Sequence, residues 1–225
     1  MMRPLWMEYP TETITFDMDD QWLIGSDLLV KPVTSAGATS VSVYFPKGVW
    51  YDIETFSMFL GPVTKTVEAP LEKIPAYQRG GSIVPRKMRL RRSSALMVGD
   101  PYTMVVAVDK EEGAEGLVYM DDEHTLKHEK RGEYVLRKMT MRGGSLSCVR
   151  VGGGMEGGVI KNEVERVVVV GWKSKPKSVM VSVEGGREGG QVPRALEFEY
   201  DGSKKVLTIR KPGVMVDEDW TVVVR

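Results

Sequence analysis

The chain has 225 residues, 42% of them hydrophobic, and its 31 basic side chains balance its 31 acidic ones. This length suffices for one large or two small domains with a real core. Zero net charge argues against a dedicated nucleic-acid binder, which uses excess positive charge to displace counterions. Cys148 is the single cysteine, so no internal disulfide and no cysteine-based zinc cluster can form. No apolar run approaches the ~20 residues of a membrane span.

Glycine and proline separate short apolar runs, a pattern typical of strands and turns. The opening stretch MMRPLWMEYP lacks the features of a signal peptide and begins on apolar and aromatic residues, as if cut from a longer chain. Residues 18–29 are the best helix candidate, with Asp17 or Asp19 as the N-cap and Gly25 as an interruption. Residues 40–45 predict a strand ending in a turn at residues 46–48.

The later apolar runs predict a mostly β protein with antiparallel, sandwich-like sheets. The predicted strands cover residues 64–70, 101–109, 114–122, 134–142, 164–172, 177–186, 195–213 (as a hairpin) and 219–225.

The hairpin ALEFEY-DGS-KKVLTIR is the clearest local prediction. The alternating apolar residues of ALEFEY share one face, and Asp201-Gly202 supplies the turn. Val206 and Ile209 are out of step by one residue, which predicts either a bulge or burial on both faces of the strand.

Two glycine-rich tracts, residues 151–160 and 185–190, predict flexible surface loops. Neither tract has the lysine and the following helix of a phosphate-binding loop.

Asp121, Asp122 and Glu123 form an acidic cluster beside His124 and His128. The cluster could be a metal site or an acid–base pair, but histidines four residues apart share a face for metal binding only on a helix. The flanks look like strands, which favours a polar turn. Glycosidase carboxylates act ~5 Å or more apart, a distance that turn residues can reach, so spacing alone leaves that function open.

A second acidic cluster, Asp17, Asp19 and Asp20, precedes an apolar segment, and helix capping is its simpler interpretation. Ser26 and the other serines lie in no G-x-S-x-G context, so a hydrolase nucleophile elbow is not predicted.

Five aromatic side chains could stack on sugars, but in a β-rich chain such residues more often pack in the core. They are Trp22, Trp50, Tyr51, Trp172 and Trp220.

The stretch IPAYQRGGSIVPRKMRLRRSS, residues 74–94, holds six basic residues and no acidic one. Proteins that bind single-stranded nucleic acid tend to interleave aromatic residues with basic ones. This stretch does not, so it is not typical of such a binder.

Four motifs, in order, resemble the C-terminal part of glycoside hydrolase family 31, the retaining α-glucosidases and their relatives. They are MMRPLWMEYP, DDQWLIGSDLLVKPV, FPKGVWYD and APLEKIPAYQRGGSIVP. The continuation, with MRLRRSS, DPYTMVVAVD, YMDDEHT, ERVVVVG, VLTIRKPG and DWTVVVR, resembles the glucosidase II branch, which trims glucose from N-glycans in the endoplasmic reticulum. The resemblance covers essentially the whole chain.

The resemblance implies three segments. Residues 1–15 would be the remnant of a catalytic (β/α)8 barrel, residues 16–87 the proximal C-terminal β-domain, and residues 88–225 the distal β-sandwich. The basic stretch would then join the two β-domains, with its arginines as interdomain and surface ion-pairing groups rather than nucleic-acid ligands. Asp121-Asp122-Glu123 stands where the family has a DDG turn, and loss of this glycine predicts a different turn backbone.

The family's nucleophile lies in a WxDMNE-type motif upstream of RPLW, and no such motif occurs here. We therefore expect no catalytic, cofactor-binding or metal-binding residue in this chain, and no hydrolase activity from the chain alone. The resemblance further implies a glucosylated N-glycan as substrate of the parent enzyme, the rest of the barrel and a β-subunit as partners, and the endoplasmic reticulum lumen as the location. The alternative is a free carbohydrate- or protein-binding module, with Trp50 and Tyr51, or Trp172, as its platform.

Overall fold

A computed structural model describes residues 1–155, 160–184 and 193–225 of the chain. The chain forms two compact units, unit 1 from Met1–Ser82 and unit 2 from Ile83–Arg225. Strands predominate and form two sheets, which confirms the predicted mostly β fold. Within these described residues, no helix is long and apolar enough to span a membrane.

Unit 1 is built on a six-stranded sheet in which each pair of neighbouring strands is antiparallel, with the order β1-β2-β3-β6-β4-β5. Its elements are β1 (Met2–Pro4), α1 (Leu5–Glu8), a 3₁₀ turn (Thr13–Thr15), β2 (Trp22–Ile24), β3 (Leu28–Val30), β4 (Ser40–Asp52), β5 (Met58–Glu68) and β6 (Ala76–Arg79).

The helix predicted at residues 18–29 is wrong, because this segment is the β2–β3 hairpin. Leu23 pairs directly with Leu29, and both are fully buried, whereas Ile24 on the opposite face is exposed. This period of two residues is that of a strand. Gly25 turns the chain with φ +64°, so Asp17 and Asp19 precede a strand and cap no helix.

The turn predicted at residues 46–48 is also wrong, because β4 continues through it. The β4–β5 register shifts between Phe45 and Gly48, so the Pro-Lys-Gly sequence forms a β-bulge. A Cβ on Gly61 of β5 would lie 1.9 Å from the Pro46 carbonyl oxygen, so only glycine fits opposite the bulge. The Trp50 indole N–H donates to the same carbonyl at 2.9 Å and fixes it.

Unit 2 is built on an eleven-stranded sheet with the order β14-β13-β17-β11-β10-β9-β7-β8-β12-β16-β15. Side chains from nine of these strands share one hydrophobic core, so the sheet closes on itself like a sandwich. Its elements are β7 (Ser82–Arg86), a 3₁₀ turn (Ser94–Met97), β8 (Tyr102–Ala107), β9 (Ala114–Met120), α2 (Lys127–Arg131), β10 (Val135–Arg142), β11 (Ser145–Gly152), β12 (Val164–Val170), β13 (Val179–Glu184), β14 (Arg194–Ala195), β15 (Phe198–Asp201), β16 (Val206–Arg210) and β17 (Asp219–Val224).

The pair β8–β12 departs from the predicted antiparallel arrangement, because its strands run parallel. The β12 sequence VERVVVV is a nearly continuous apolar run, which is typical of a strand buried on both faces. Val167 and Val169 belong to the core, and Val168 and Val170 on the other face are also buried.

The hairpin predicted at residues 195–213 is confirmed as β15–β16. Its pairing has no register shift, and Val206 and Leu207 are both buried, so the strand is buried on both faces and has no bulge. The turn spans residues 202–205 rather than Asp201-Gly202, and Lys205 takes the left-handed conformation with φ 55°. The Asp201 carboxylate accepts the Ser203 and Lys204 N–H groups and closes this turn.

The two units divide between Ser82 and Ile83, whereas the sequence placed this boundary between residues 87 and 88. The difference arises because β7 joins the sheet of unit 2. Residues 1–15 lie in unit 1, where β1 pairs with β2, and their assignment to a barrel stays a prediction. The loop predicted at residues 185–190, and residues 156–159 of the other glycine-rich tract, lie outside the described residues.

Candidate functional site

The acidic cluster of residues 121–123 follows β9 and forms a polar turn. The Asp122 carboxylate accepts the Thr125 hydroxyl at 2.6 Å and the backbone N–H groups of Thr125 and His124 at 2.9 and 3.1 Å. The hydroxyl, followed by these two amides, lowers the pKa of Asp122 to about 2. This carboxylate is therefore a charged brace of the turn and a poor general acid.

Asp121 faces the other side of the same turn. Its carboxylate accepts the Tyr119 hydroxyl at 3.0 Å and the Glu123 N–H at 2.8 Å. His128 lies on α2, with Nδ1 3.6 Å from the Asp121 carboxylate, whereas His124 lies in the turn before α2, so the two histidines do not share a helix face. Among the described residues, no three His, Cys, Asp or Glu side chains are grouped to hold a metal ion.

Glu123 keeps the backbone conformation that a glycine would favour. Its φ is +57°, in the left-handed region, although the side chain is not glycine. The turn therefore contains the left-handed residue that a glycine commonly supplies, and a difference from the family's turn backbone stays a prediction. The cost of a Cβ in this conformation is offset by the Asp121 carboxylate, which holds the Glu123 N–H.

The second acidic cluster lines an open cleft of about 500 Å³ in unit 1. Asp20 forms an ion pair with Lys31, whose side chain is almost fully buried. The Gln21 side-chain amide binds the backbone of β4. It donates to the Tyr44 carbonyl at 2.8 Å and accepts the Tyr44 N–H at 3.0 Å. Burial, then the Glu12 carboxylate that accepts the Tyr44 hydroxyl at 2.5 Å, raises the pKa of Tyr44 to about 12. These contacts hold Asp20, Gln21 and Tyr44 in the sheet, whereas Asp17 and Asp19 are exposed at the cleft.

Asp52 ends β4 and is a buried carboxylate that the sequence reasoning did not single out. It accepts the Thr55 and Glu54 N–H groups at 2.8 and 2.9 Å and pairs with Lys73 at 2.9 Å. Burial opposes its ionisation, but these donors outweigh burial, so its pKa lies below the ordinary value. The only sequence signal was a carboxylate directly after the apolar Trp50-Tyr51 pair.

The aromatic candidates are buried rather than displayed, which confirms the packing interpretation. Trp50 and Trp220 are 0% and 1% exposed, and their indole N–H groups donate to the backbone carbonyls of Pro46 and Met215. Tyr51 and Trp172 are also buried, and Trp22 is half-buried. The sugar-stacking platform of Trp50 and Tyr51, or of Trp172, is therefore wrong, because buried rings offer no face to a ligand.

Cys148 lies in the core of unit 2, close to a buried arginine. Burial raises the pKa of the Cys148 thiol. The Arg137 guanidinium, 1% exposed, donates to the Cys148 carbonyl at 3.2 Å and pairs with Asp219 at 2.5 Å. The thiol is thus an inert core group, and Arg137 ties β10 to β17.

Three of the six basic side chains of residues 74–94 form ion pairs, as the sequence predicted for its arginines. In unit 1, Arg79 lies 3.8 Å from Glu8 and over the ring of Tyr9. In unit 2, Arg89 pairs with Glu165 at 3.4 Å, and Arg91 makes two hydrogen bonds with Asp100 at 2.7 and 2.9 Å.

Residues 1–84 match the glycosyl hydrolase family 31 C-terminal domain, a range close to that of unit 1. The chain is 42% identical to human neutral alpha-glucosidase AB over its whole length, which spans 23% of that relative. Residues 1–84 of this chain are thus similar to the C-terminal domain of glycoside hydrolase family 31. The finding confirms the resemblance read from the four motifs.

Other relatives extend the family likeness to the whole chain, unit 2 included. A probable glucan 1,3-alpha-glucosidase of Arabidopsis thaliana is 40% identical over 99% of the chain and 24% of its own length. The crystal structure of ER glucosidase II as a heterodimeric complex of catalytic subunit and regulatory-subunit binding domain superposes with a TM-score of 0.88. It is 34% identical over all of this chain and 25% of that one. The chain thus spans about a quarter of the length of these family 31 relatives.

Proposed function

We propose that this chain is the C-terminal β-domain part of a retaining α-glucosidase of the glucosidase II type. The observation that carries the proposal is the likeness along the whole chain to neutral alpha-glucosidase AB, at 42% identity, combined with coverage of only 23% of that relative. The parent enzyme hydrolyses α-linked glucose with two carboxylates and trims N-glycans in the endoplasmic reticulum lumen. Its partners are the glucosylated N-glycan and a regulatory subunit like the one in the glucosidase II heterodimer.

The role of this piece is to brace the catalytic barrel. The internal contacts of its carboxylates support this role: Asp20, Asp52, Asp122 and Asp219 each hold a lysine, a turn or an arginine within their own unit. A retaining glycosidase needs two carboxylates that face a sugar across ~5 Å. No WxDMNE motif occurs in the 225 residues, so the proposal places both catalytic carboxylates elsewhere in the parent.

The first test is the hydrolysis of a chromogenic α-glucoside by the purified chain. We expect no turnover above a heat-denatured sample, because the catalytic pair is absent. Turnover that resists repeated purification and falls in an Asp121→Asn or Asp20→Asn variant would contradict the proposal.

The second test is complementation of a barrel by this chain. The N-terminal three quarters of human neutral alpha-glucosidase AB, expressed without its own C-terminal part, would be co-expressed with this chain. We expect soluble, active enzyme only when both parts are present. A matched control replaces the chain by a Leu23→Ala, Leu29→Ala variant, which removes two fully buried side chains from the core of unit 1.

The third test is the size of the native protein. An antibody against residues 100–225 applied to an extract of the source organism should detect a species far larger than 25.1 kDa. A single species of about that mass would favour the free-module alternative instead.

A further inference from the structure

Residues 88–94, MRLRRSS, form an exposed basic segment. Ion pairing does not account for all of its arginines. We propose that it is a proteolytic processing site, cut between Arg92 and Ser93 by a serine endoprotease specific for paired basic residues. The sequence Arg89-Leu90-Arg91-Arg92 presents three arginines in the pattern Arg-X-Arg-Arg. The inference does not depend on the proposed function.

The local backbone supports productive binding to a protease. Such an enzyme binds its substrate as an extended strand, so the scissile segment must leave its own secondary structure. Residues 88–92 lie outside every strand and helix, and no backbone–backbone hydrogen bond of the described chain includes them. The 3₁₀ turn that follows, Ser94–Met97, is a single turn and needs little energy to open.

The side chains that a protease would read are accessible. Residues 88–96 are all exposed, and Leu90 is 99% exposed. Within the described residues, Arg92 has no ion-pair partner, so the arginine that enters the primary pocket is free. Arg89 makes a long, 3.4 Å contact with Glu165.

Arg91 is the restrained member of the motif. Its two hydrogen bonds to Asp100 must break before its guanidinium can enter an acidic protease subsite. Asp100 is itself fixed, because its carbonyl accepts the Asn162 amide at 2.8 Å. The Arg91–Asp100 pair therefore slows cleavage without preventing it.

Cleavage adds one water molecule across the Arg92–Ser93 peptide bond. The serine protease forms an acyl-enzyme at the Arg92 carbonyl and releases the Ser93 amine, and water then frees the Arg92 carboxylate. The two products are residues 1–92 and 93–225. They stay together, because β7 of the first product lies between β8 and β9 of the second. The fit is tight, since a Cβ on Gly116 of β9 would lie 2.2 Å from the Ile83 carbonyl oxygen.

The experiment treats the purified, folded chain with a purified subtilisin-like proprotein convertase and identifies the products by intact mass and N-terminal sequencing. We expect one early cut, with the new N-terminus Ser93-Ser94-Ala95. Arg92→Gln should slow the cut at least 100-fold. Arg131→Gln, the same change in the exposed Lys130-Arg131 pair of α2, should leave the rate unchanged. Asp100→Asn should speed the cut about two- to fivefold, because the Asp100 carboxylate is buried but the Arg91 side chain that must leave it is 39% exposed.

Three results would overturn the proposal: no cut in the folded chain when the denatured chain is cut, a first cut at another pair, or an Arg92→Gln variant cut at the wild-type rate. An Asp100→Asn variant that is cut no faster than the wild type would contradict the conclusion that the Arg91–Asp100 pair slows cleavage. The cut chain should elute from a sizing column as the intact chain does. Separation into two species without denaturant would contradict the retention by β7.

Discussion

At the scale of single residues, the buried carboxylate of Asp52 gives a direct test of stability. Asp52→Asn keeps the shape but removes the charge that pairs with Lys73 and caps residues 54 and 55. We expect a loss of about 1.5–3 kcal/mol at pH 7, the range for hydrogen bonds to charged groups. Urea denaturation measures it, with the exposed Asp17→Asn as the control.

The pH dependence of this difference has a definite sign. The folded-state pKa of Asp52 lies below the ordinary value of ~3.9. Its contribution is therefore complete above pH ~4 and is lost as the pH falls through the folded-state pKa. The gap between wild type and Asp52→Asn should close on acidification below pH 4. A gap that widened instead would contradict the assignment.

Glu123 provides a second test at this scale, in which the substitution should raise the stability rather than lower it. Its left-handed backbone costs a residue with a Cβ about 1–2 kcal/mol, while glycine gains flexibility in the unfolded chain worth about 0.5–1 kcal/mol. Glu123→Gly should therefore stabilise unit 2 by roughly 0.5–1 kcal/mol. Calorimetry should show a rise in Tm, whereas Glu123→Ala, which keeps the Cβ, should show none.

At the scale of elements, the β2–β3 hairpin distinguishes a strand from the helix that its sequence suggested. Leu23→Ala should cost about 2–5 kcal/mol, because it leaves a cavity against Leu29. Ile24→Ala, one residue further on but on the exposed face, should cost less than 1 kcal/mol. Similar losses in the two variants, measured by urea denaturation, would contradict the alternation.

The sequence predicted most strands and failed where a tertiary contact decides the local structure. The runs at residues 101–109 and 164–172 were clear because they are apolar, but no local pattern shows that they pair in parallel. Pro46-Lys47-Gly48 has the composition of a turn and forms a bulge, since Gly61 on the facing strand lets the chains approach. The acidic turn at residues 121–125 was predicted correctly as a turn, but its left-handed Glu123 was not.

At the scale of the whole molecule, the last strand in chain order holds unit 2 together. β17 lies between β13 and β11, buries Trp220, and carries the Asp219 carboxylate that pairs with the buried Arg137. A chain ending at Glu218 should lose the cooperative unfolding of unit 2, because the buried Arg137 is left without its carboxylate partner and an interior strand of the sheet is missing. Hydrogen exchange should show loss of protection in β10, β11 and β13. The control variant Val223→Thr, on the outer face of β17, should keep the protection of these strands from hydrogen exchange.

The place of β17 between β13 and β11 also has a consequence for the chain as it leaves the ribosome. Synthesis proceeds from the N-terminus at about 5–20 residues per second, and unit 1 can fold as soon as β6 has emerged. The sheet of unit 2 cannot be completed during synthesis in the same way. β11 and β13 are both made before β17, the strand that lies between them. Until residues 219–224 emerge, the nascent chain carries two unpaired strand edges, the kind of surface that chaperones protect from aggregation.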